Sequence, residues 1–365
     1  MKLNLSREEE DAIIHKVSAR LDRTQAHESE FRTQGRAVNA KEWKLVNSRE
    51  DFYIYKQRDE LVAKEESRVP RILCAGTVEG KMEDFMLGIY DGDELAWRIR
   101  SAYMNDKFAD TQFLSTIISP TREEPFRYMG VKWLSTQSPP VVGAFIRKRD
   151  HVVVEAMGTT KDGNGETFGY YMLEDYSHPS IPDHSDVGIL RSKLSMCCIA
   201  RQVTSDRIAL YVRSRIDLDG DLPMRLAVSI ASLSLASLAN AVDTAYNKKL
   251  AWLISHQKPK RPRVNEGRPR APSSMCHSCG KAPSGLLARS LAYCQVCRSA
   301  CCAKCSVEKK LVVDLIAGQP TLRSMPFCFA CVRLAKELDP IEVGRPPVPR
   351  DLRGKKREME KMEMQ

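Results

Sequence analysis

The segment that decides the fold of the C-terminal third reads Cys294-Gln-Val-Cys297-Arg-Ser-Ala-Cys-Cys302-Ala-Lys-Cys305. It contains two C-x-x-C pairs, and one further pair lies on each side, Cys276/Cys279 and Cys328/Cys331. A two-residue spacer lets two thiolates of one tight turn bind the same tetrahedral ion, so two pairs complete a four-thiolate zinc site. Four pairs therefore predict two Zn2+ ions.

The spacing of the pairs predicts how they combine. Only four residues separate the second pair from the third, too few for these two to surround one ion while the outer pairs share another. An interleaved arrangement avoids this conflict. The predicted ligands are Cys276, Cys279, Cys302 and Cys305 for zinc 1, and Cys294, Cys297, Cys328 and Cys331 for zinc 2.

Two alternatives concern these cysteines. The first is a disulfide framework, which zinc-like spacing and the charged start of the chain, Arg7-Glu-Glu-Glu-Asp11, argue against. The second is a shift in the ligand set that would admit Cys301 or His277. Cys74, Cys197 and Cys198 are expected to be ordinary buried thiols.

The double zinc motif resembles the FYVE-type finger, a module that binds membrane phosphoinositides. The resemblance covers about 60 residues and rests on the eight cysteines, above all on the central C-x2-C-x4-C-x2-C. The basic cluster of that family is replaced by Ser290-Leu-Ala-Tyr293. We therefore expect a FYVE-like scaffold without the specific headgroup pocket, with anionic surfaces contacted by the cations Arg289, Arg298, Lys304, Lys309 and Lys310.

Charge divides the chain of 365 residues unevenly. Its net charge is +10, but residues after 257 carry 22 Lys and Arg against 10 Asp and Glu, which is +12. The C-terminal third is therefore expected to meet anionic partners. We expect a soluble cytoplasmic protein, peripheral at endosomal or other intracellular membranes, with the nucleus as an alternative because Lys258-Pro-Lys-Arg-Pro-Arg263 looks like a localisation signal.

The first 256 residues show the pattern of an α+β domain. A capping box at Ser6 and Glu9 begins a helix over residues 6 to about 24, and a long apolar helix opens at Pro223 and runs to about Ser255. A short coiled coil is the alternative for the long helix. Between these helices the pattern predicts strands at 43–46, 52–56, 71–76, 128–134, 141–147, 152–157, 169–173, 190–203 and 208–216, and helices at 81–89 and 94–104.

This order resembles the START lipid-binding domain, a helix-grip fold around an apolar tunnel. Three runs carry the resemblance: Arg149-Asp150 before an apolar strand, Ser177-His178-Pro179-Ser-Ile-Pro182 followed by Leu190-Arg191, and Asp217-Leu-Asp-Gly220-Asp-Leu-Pro223. We expect these residues to form turns or ion pairs rather than to contact ligand. The candidate tunnel residues are Met196, Cys198, Leu226, Ile230 and Leu233.

The predicted organisation is a START-like domain over 1–256, a basic Pro-rich linker over 257–272, a FYVE-like double zinc finger over 273–338 and a disordered charged tail over 339–365. No catalytic motif is found, and a zinc ion held by four thiolates has no open position for substrate. The first functional hypothesis is a non-enzymatic adaptor that binds a lipid ligand and an anionic membrane surface, with protein partners possible and nucleic acid not expected. The alternative is a regulatory scaffold whose finger binds proteins or nucleic acid without lipid transfer.

Overall fold

A computed structural model describes residues 2–65, 69–106, 108–136, 147–220, 222–256, 274–282, 291–316 and 318–345. The helices are α1 (Arg7–Thr33), α2 (Asp59–Val62), α3 (Met82–Ile89), α4 (Glu94–Met104), α5 (Met224–Ala236), α6 (Ala241–His256), α7 (Phe329–Glu337) and α8 (Pro340–Gly344). The strands are β1 (Trp43–Arg49), β2 (Phe52–Gln57), β3 (Arg71–Glu79), β4 (Phe108–Ile118), β5 (Tyr128–Thr136), β6 (Arg149–Lys161), β7 (Thr167–Asp175), β8 (Leu190–Arg191), β9 (Lys193–Thr204), β10 (Arg207–Asp217), β11 (Ala292–Tyr293), β12 (Ala300–Cys301), β13 (Ser306–Ile316) and β14 (Gln319–Cys328).

One large sheet organises the first 256 residues. Its strand order is β1-β2-β3-β10-β9-β7-β6-β5-β4, all antiparallel, and the short β8 pairs in parallel with β6. The sheet and its helices make the domain α+β, as predicted. The strand β4 was not predicted, because its polar residues and three register irregularities against β5 hide the alternation of a half-buried strand.

The two faces of the sheet bury different helices. The inner face packs its apolar side chains, such as Ile54, Val153 and Met157, against α3, α4, α5 and α6. The outer face packs Val131 and Val154 against α1, which contributes Ile13 and Val17 among others. Period-2 alternation along each strand supplies the two apolar faces.

The first helix is longer than its apolar pattern predicts. The predicted capping box is present at Ser6 and Glu9, but the helix continues to Thr33 instead of ending near residue 24. Its last turns are held by polar and aromatic contacts. Glu28 is buried and lies 3.1 Å from Arg201 of β9, and Phe31 packs on Tyr211 of β10. Because apolar periodicity does not depend on such contacts, it could not predict the last turns of α1.

The predicted long helix is interrupted near its middle. A short 3-10 segment, Ser237–Asn240, joins α5 to α6. Taken together, residues 224–256 are long and apolar enough to cross a membrane by length and composition alone, but half of the apolar window is buried within the protein. This burial is typical of a central core helix. Only one stripe of α5 is fully covered, through Val228, Ala231 and Leu235.

The C-terminal module is described for residues 274–282, 291–316 and 318–345. It contains the β11–β12 pair, the long β13–β14 hairpin and α7. Ile341 and Val343 of α8 pack against the inner core of the first domain. Ordered structure therefore continues past the predicted boundary at residue 339. The predicted linker, residues 141–146 of the strand predicted over 141–147, and the rest of the tail lie outside the described residues.

Candidate metal centres and buried polar cluster

The structure brings the cysteines together in two sets of four. Cys276, Cys279, Cys302 and Cys305 form one group, and Cys294, Cys297, Cys328 and Cys331 form the other. Within each group the sulfur atoms all lie within 4.8 Å of one another. These are the interleaved sets that the spacing predicts, and each can hold one metal ion.

Local turns position the first three pairs. The Gly280 N–H donates to the carbonyl of Cys276, and Gly280 has a φ of +68° that a Cβ would strain. The Arg298 N–H closes the second turn on Cys294, and the Cys305 N–H closes the third on Cys302. Each turn directs two sulfur atoms to the same side.

A hairpin returns the fourth pair to the others. In the register of β13 and β14, Ser306 lies opposite Cys328, which places Cys328 beside the end of the third pair. Cys328 is the residue immediately before α7, and Cys331 lies in the first turn of this helix. This hairpin forms the long segment between the third and fourth cysteine pairs, for which the sequence predicted no structure.

The sulfur geometry fits a tetrahedral thiophilic ion. Cys279 Sγ and Cys302 Sγ are 3.9 Å apart, and Cys297 Sγ and Cys328 Sγ are 3.8 Å apart. Zinc–sulfur bonds of about 2.3 Å in a tetrahedron separate sulfur atoms by about 3.8 Å. The donor set of each group is therefore suited to a four-thiolate ion with a structural role.

Hydrogen bonds favour the deprotonated form of at least one of these cysteines. The backbone N–H of Cys302, followed by that of Cys279, lowers the pKa of the Cys276 thiol to about 6. By contrast, the pKa of Cys305 is raised to about 12 because its thiol donates to the sulfur atoms of Cys279 and Cys302. Four thiolates at this separation need a cation to balance their charge.

The two alternative ligands lie outside both groups. Cys301 is buried, and its thiol donates to the carbonyl of Ser299 at 3.6 Å. His277 is exposed and uses its backbone N–H to pair with the carbonyl of Ala300. Cys74, Cys197 and Cys198 are buried in the first domain, as expected of ordinary thiols.

The C-terminal module packs on the last helix of the first domain. Leu250 and Leu253 of α6 share an apolar cluster with Leu311, Phe327 and the buried cysteines of the second group. The hydroxyl of Tyr103 on α4 accepts a 3.0 Å hydrogen bond from the Val312 N–H. The α6 helix therefore belongs to both cores.

The predicted surface cations remain on the surface of the module. Arg298, Lys304 and Lys310 are exposed and Lys309 is partly exposed. Arg298 donates to the side chain of Gln295. Arg289 lies outside the described residues.

The three START-like runs meet at one corner of the large sheet. The Arg149 guanidinium donates to the carbonyls of Leu218 and Asp219 in the third run. Asp150 accepts two hydrogen bonds from Arg191 of the second run, at 2.8 and 3.0 Å. Asp150 therefore forms an ion pair, as expected from the sequence, whereas Arg149 binds backbone carbonyls of the third run.

The tunnel candidates lie at different depths. Met196 and Cys198 of β9 are buried in the inner core. Leu226 and Ile230 on α5 are half-buried, and the Leu233 side chain is 52% exposed. Leu233 therefore does not line the interior; the sequence shows two apolar stripes on α5, and only the other one faces the sheet.

Sequence reasoning missed a buried polar cluster on the inner face. Lys132 Nζ lies 2.7 Å from Glu155 Oε1 and 2.9 Å from Asp91 Oδ2, and Arg100 pairs with Asp91 and Asp106. All five residues are at most 5% exposed. The available signal was a charged residue within an apolar run, Lys132 in one predicted strand and Glu155 after Val152-Val-Val154 in another.

An apolar and aromatic shell surrounds this cluster. The Lys132 ammonium lies 3.9 Å from the ring centroid of Phe113 and 4.9 Å from that of Tyr128. Burial raises the pKa of Glu155. The Tyr128 hydroxyl is buried beside the cluster, and this burial raises its pKa.

Comparison with solved structures finds three human chains that align with about three fifths of this chain. No protein-family model and no curated protein matches the chain. Human STARD10 aligns with a TM-score of 0.43 and 16% identity, over 62% of this chain and 82% of that one. Human StAR-related lipid transfer protein 5 aligns with a TM-score of 0.43 and 18% identity, over 62% and 97%. The lipid transfer and protein localization domain of human StarD13 (DLC2) aligns with a TM-score of 0.41 and 14% identity, over 60% and 94%.

Proposed function

We propose that this protein is a non-enzymatic adaptor that holds an apolar lipid with a polar end inside its first domain. The observation that carries this proposal is the buried polar cluster at the centre of an apolar inner face. Burying a charged network in a core costs desolvation free energy, so its presence there favours a functional role. In this proposal Lys132, Tyr128 and Asp91 bind the polar end of the ligand, and the apolar face binds its chain.

The apolar part of such a ligand would bind by burial. Each Å² of apolar surface removed from water contributes about 25 cal/mol. Because Met196 and Cys198 already pack with the helices, lipid uptake requires α5, α6 or a neighbouring loop to move outward. We propose that α5 is the element that moves, because only one of its stripes is buried and the side chains outside that stripe are half-buried or exposed.

The C-terminal module is proposed to be a FYVE-like double zinc finger that assists association with membranes. Its two four-cysteine groups and its exposed lysines support this role. The outer part of the β13–β14 hairpin adds exposed apolar side chains, among which Ile316 is 63% exposed. Apolar tips flanked by cations bind anionic bilayers through both burial and charge, with about 1 kcal/mol for each nearby Lys or Arg. We propose a peripheral location at intracellular membranes on the same grounds.

Lipid capture provides the direct test. Purified protein is incubated with a lipid extract, and co-purifying lipids are identified by native mass spectrometry. Met196→Trp enlarges a buried side chain on the inner face and should reduce uptake, whereas Met129→Trp makes the same change on the outer face and should leave uptake unchanged. Absence of lipid from the wild-type protein, or equal uptake by both variants, would reject the proposal.

A regulatory scaffold is the second candidate function. It is favoured by Ser290-Leu-Ala-Tyr293, which stand where phosphoinositide-binding fingers carry a basic cluster. On this hypothesis the module binds protein or nucleic acid and the first domain takes up no lipid. Flotation with vesicles that contain or lack phosphatidylinositol 3-phosphate, combined with the uptake assay, separates the two functions.

A further inference from the structure

An arginine-rich cavity lies between α1 and the outer face of the large sheet. Its volume is about 460 Å³, which falls in the range of small-molecule sites. The α1 helix lines it with Arg20, Arg23, Thr24 and His27, which share one helical face. The strands supply Arg71, Arg213, Arg215 and Ser195.

Strand register builds the floor of this cavity. Arg215 of β10 lies opposite Arg71 of β3 on one side and Ser195 of β9 on the other. Arg213 is two residues earlier on β10, so its side chain lies on the same face as that of Arg215. Five guanidinium groups from three separate elements therefore meet in one concavity.

Carboxylates neutralise only part of this charge. Glu65 pairs with Arg71 at 2.9 Å and with Arg215 at 2.7 Å, and Glu174 lies 3.9 Å from Arg20. In the described part of the chain, neither Arg23 nor Arg213 lies within ion-pair distance of a carboxylate. The cavity therefore carries an excess of positive charge.

Two observations indicate that a ligand is expected there. The Nε atom of Arg20 is buried, and the Glu174 carboxylate that it faces is 3.9 Å away, beyond hydrogen-bond distance. The pKa of His27 is lowered, first by partial burial and then by the positive charge of Arg213. A bound anion would accept a hydrogen bond from Arg20 and would offset the positive charge that acts on His27.

We infer that this cavity binds a small ligand that carries several phosphate groups, such as an inositol polyphosphate or the equivalent lipid headgroup. Guanidinium groups bind phosphate through paired, charge-assisted hydrogen bonds. Five of them exceed the need of a single phosphate and match a ligand with two or more. The site is separate from the inner face and from the cysteine groups, so it adds a second ligand to the proposed function.

Calorimetric titration of the full chain tests the inference. The probes are inositol hexakisphosphate, inorganic phosphate and a short DNA duplex. We expect one molecule of inositol hexakisphosphate per chain, with inorganic phosphate binding far more weakly. The Arg23→Gln/Arg213→Gln variant should weaken the affinity by about tenfold or more. The exposed pair Arg122→Gln/Arg225→Gln removes the same charge elsewhere and should change it by less than about twofold.

A vesicle arm distinguishes the sources of the phosphates. Flotation uses phosphatidylcholine vesicles with or without a phosphatidylinositol bisphosphate. Loss of bisphosphate-dependent flotation in the cavity variant alone supports a lipid headgroup, and a response only to the soluble probe supports a free ligand. Because Arg23 is exposed, Arg23→Gln alone should fold normally and still weaken binding.

Three results would overturn the inference. The first is that the wild-type protein binds neither inositol hexakisphosphate nor bisphosphate vesicles, and the second is that the cavity and control variants lose the same affinity for them. The third result is that the DNA duplex binds more tightly than inositol hexakisphosphate and that the cavity variant abolishes this binding. Lipid uptake by the inner face is measured independently, so failure here leaves that proposal intact.

Discussion

Lys249 of α6 and Asp84 of α3 form a fully buried ion pair, with 2.5 Å between Nζ and Oδ1. The same ammonium lies 3.4 Å from the carbonyl oxygen of Lys336 in α7. One side chain therefore joins two helices of the first domain to the C-terminal module. Such a contact couples the stability of the two parts.

Removing one partner of this pair should be costly. We expect Lys249→Met to lower the free energy of unfolding by about 3–5 kcal/mol, because Asp84 is left buried without its cation. Urea denaturation measures the change. The double variant Lys249→Met/Asp84→Leu should recover most of the loss, since it leaves no unpaired charge.

An exposed pair provides the control for this prediction. Lys16 lies 3.6 Å from Glu174, and the Lys16 side chain is half exposed. Lys16→Met should cost less than about 1 kcal/mol. Similar costs for Lys16→Met and Lys249→Met would show that burial does not govern the Lys249 contact.

Metal content should depend on which cysteine is removed. We expect two zinc ions per wild-type chain by elemental analysis, one for each four-cysteine group. Cys276→Ser should lose about one equivalent, because it removes a ligand. Cys301→Ser should retain both, because Cys301 is equally buried but belongs to neither group. Loss of an ion from Cys301→Ser would contradict the ligand sets.

Acid should destabilise the first domain through His151. Burial lowers the pKa of His151 from its usual 6.5 to about 4. The unfolded chain therefore binds a proton first as the pH falls, and stability is lost between about pH 6.5 and pH 4, by up to about 3 kcal/mol. Above pH 6.5 the side chain is neutral in both states and makes no pH-dependent contribution.

A substitution isolates this contribution from those of the carboxylates. Unfolding free energies of wild type and His151→Gln are compared at several pH values from about 7.5 to 4.5. The variant should lose packing at every pH, because His151 lies edge-on to Phe108, but its stability should fall less in acid. Parallel pH profiles for the two proteins would rule out His151 as the source.

Membrane binding should depend on the tip of the β13–β14 hairpin. Ile316→Glu places a charge at a side chain that is 63% exposed and should reduce flotation with anionic vesicles several-fold. Val203→Glu makes the same kind of change at a 43% exposed side chain of the first domain and should have little effect. If both variants float like wild type, the hairpin does not contact the bilayer.

Local patterns in the sequence were sufficient for much of the fold. The α4 helix has the predicted bounds, and most strands of the large sheet overlap their predictions, because apolar alternation and capping residues act over a few positions. The interleaved cysteine sets follow from the spacing in the same way. The C-terminal extension of α1, the strand β4 and the β13–β14 hairpin were not predicted. Polar and aromatic contacts hold the end of α1, and register irregularities interrupt the alternation of β4 and β13.

The sequence by itself determined which cysteines can share an ion and that an α+β domain precedes them, since short spacers and periodic apolar residues constrain geometry within a few residues. Only the tertiary structure decided which charged residues meet. Lys132, Glu155 and Arg100 come from different elements, as do Arg20, Arg71 and Arg213. Strand register and helix packing determine which of these side chains come into contact. Both depend on interactions between residues far apart in the chain.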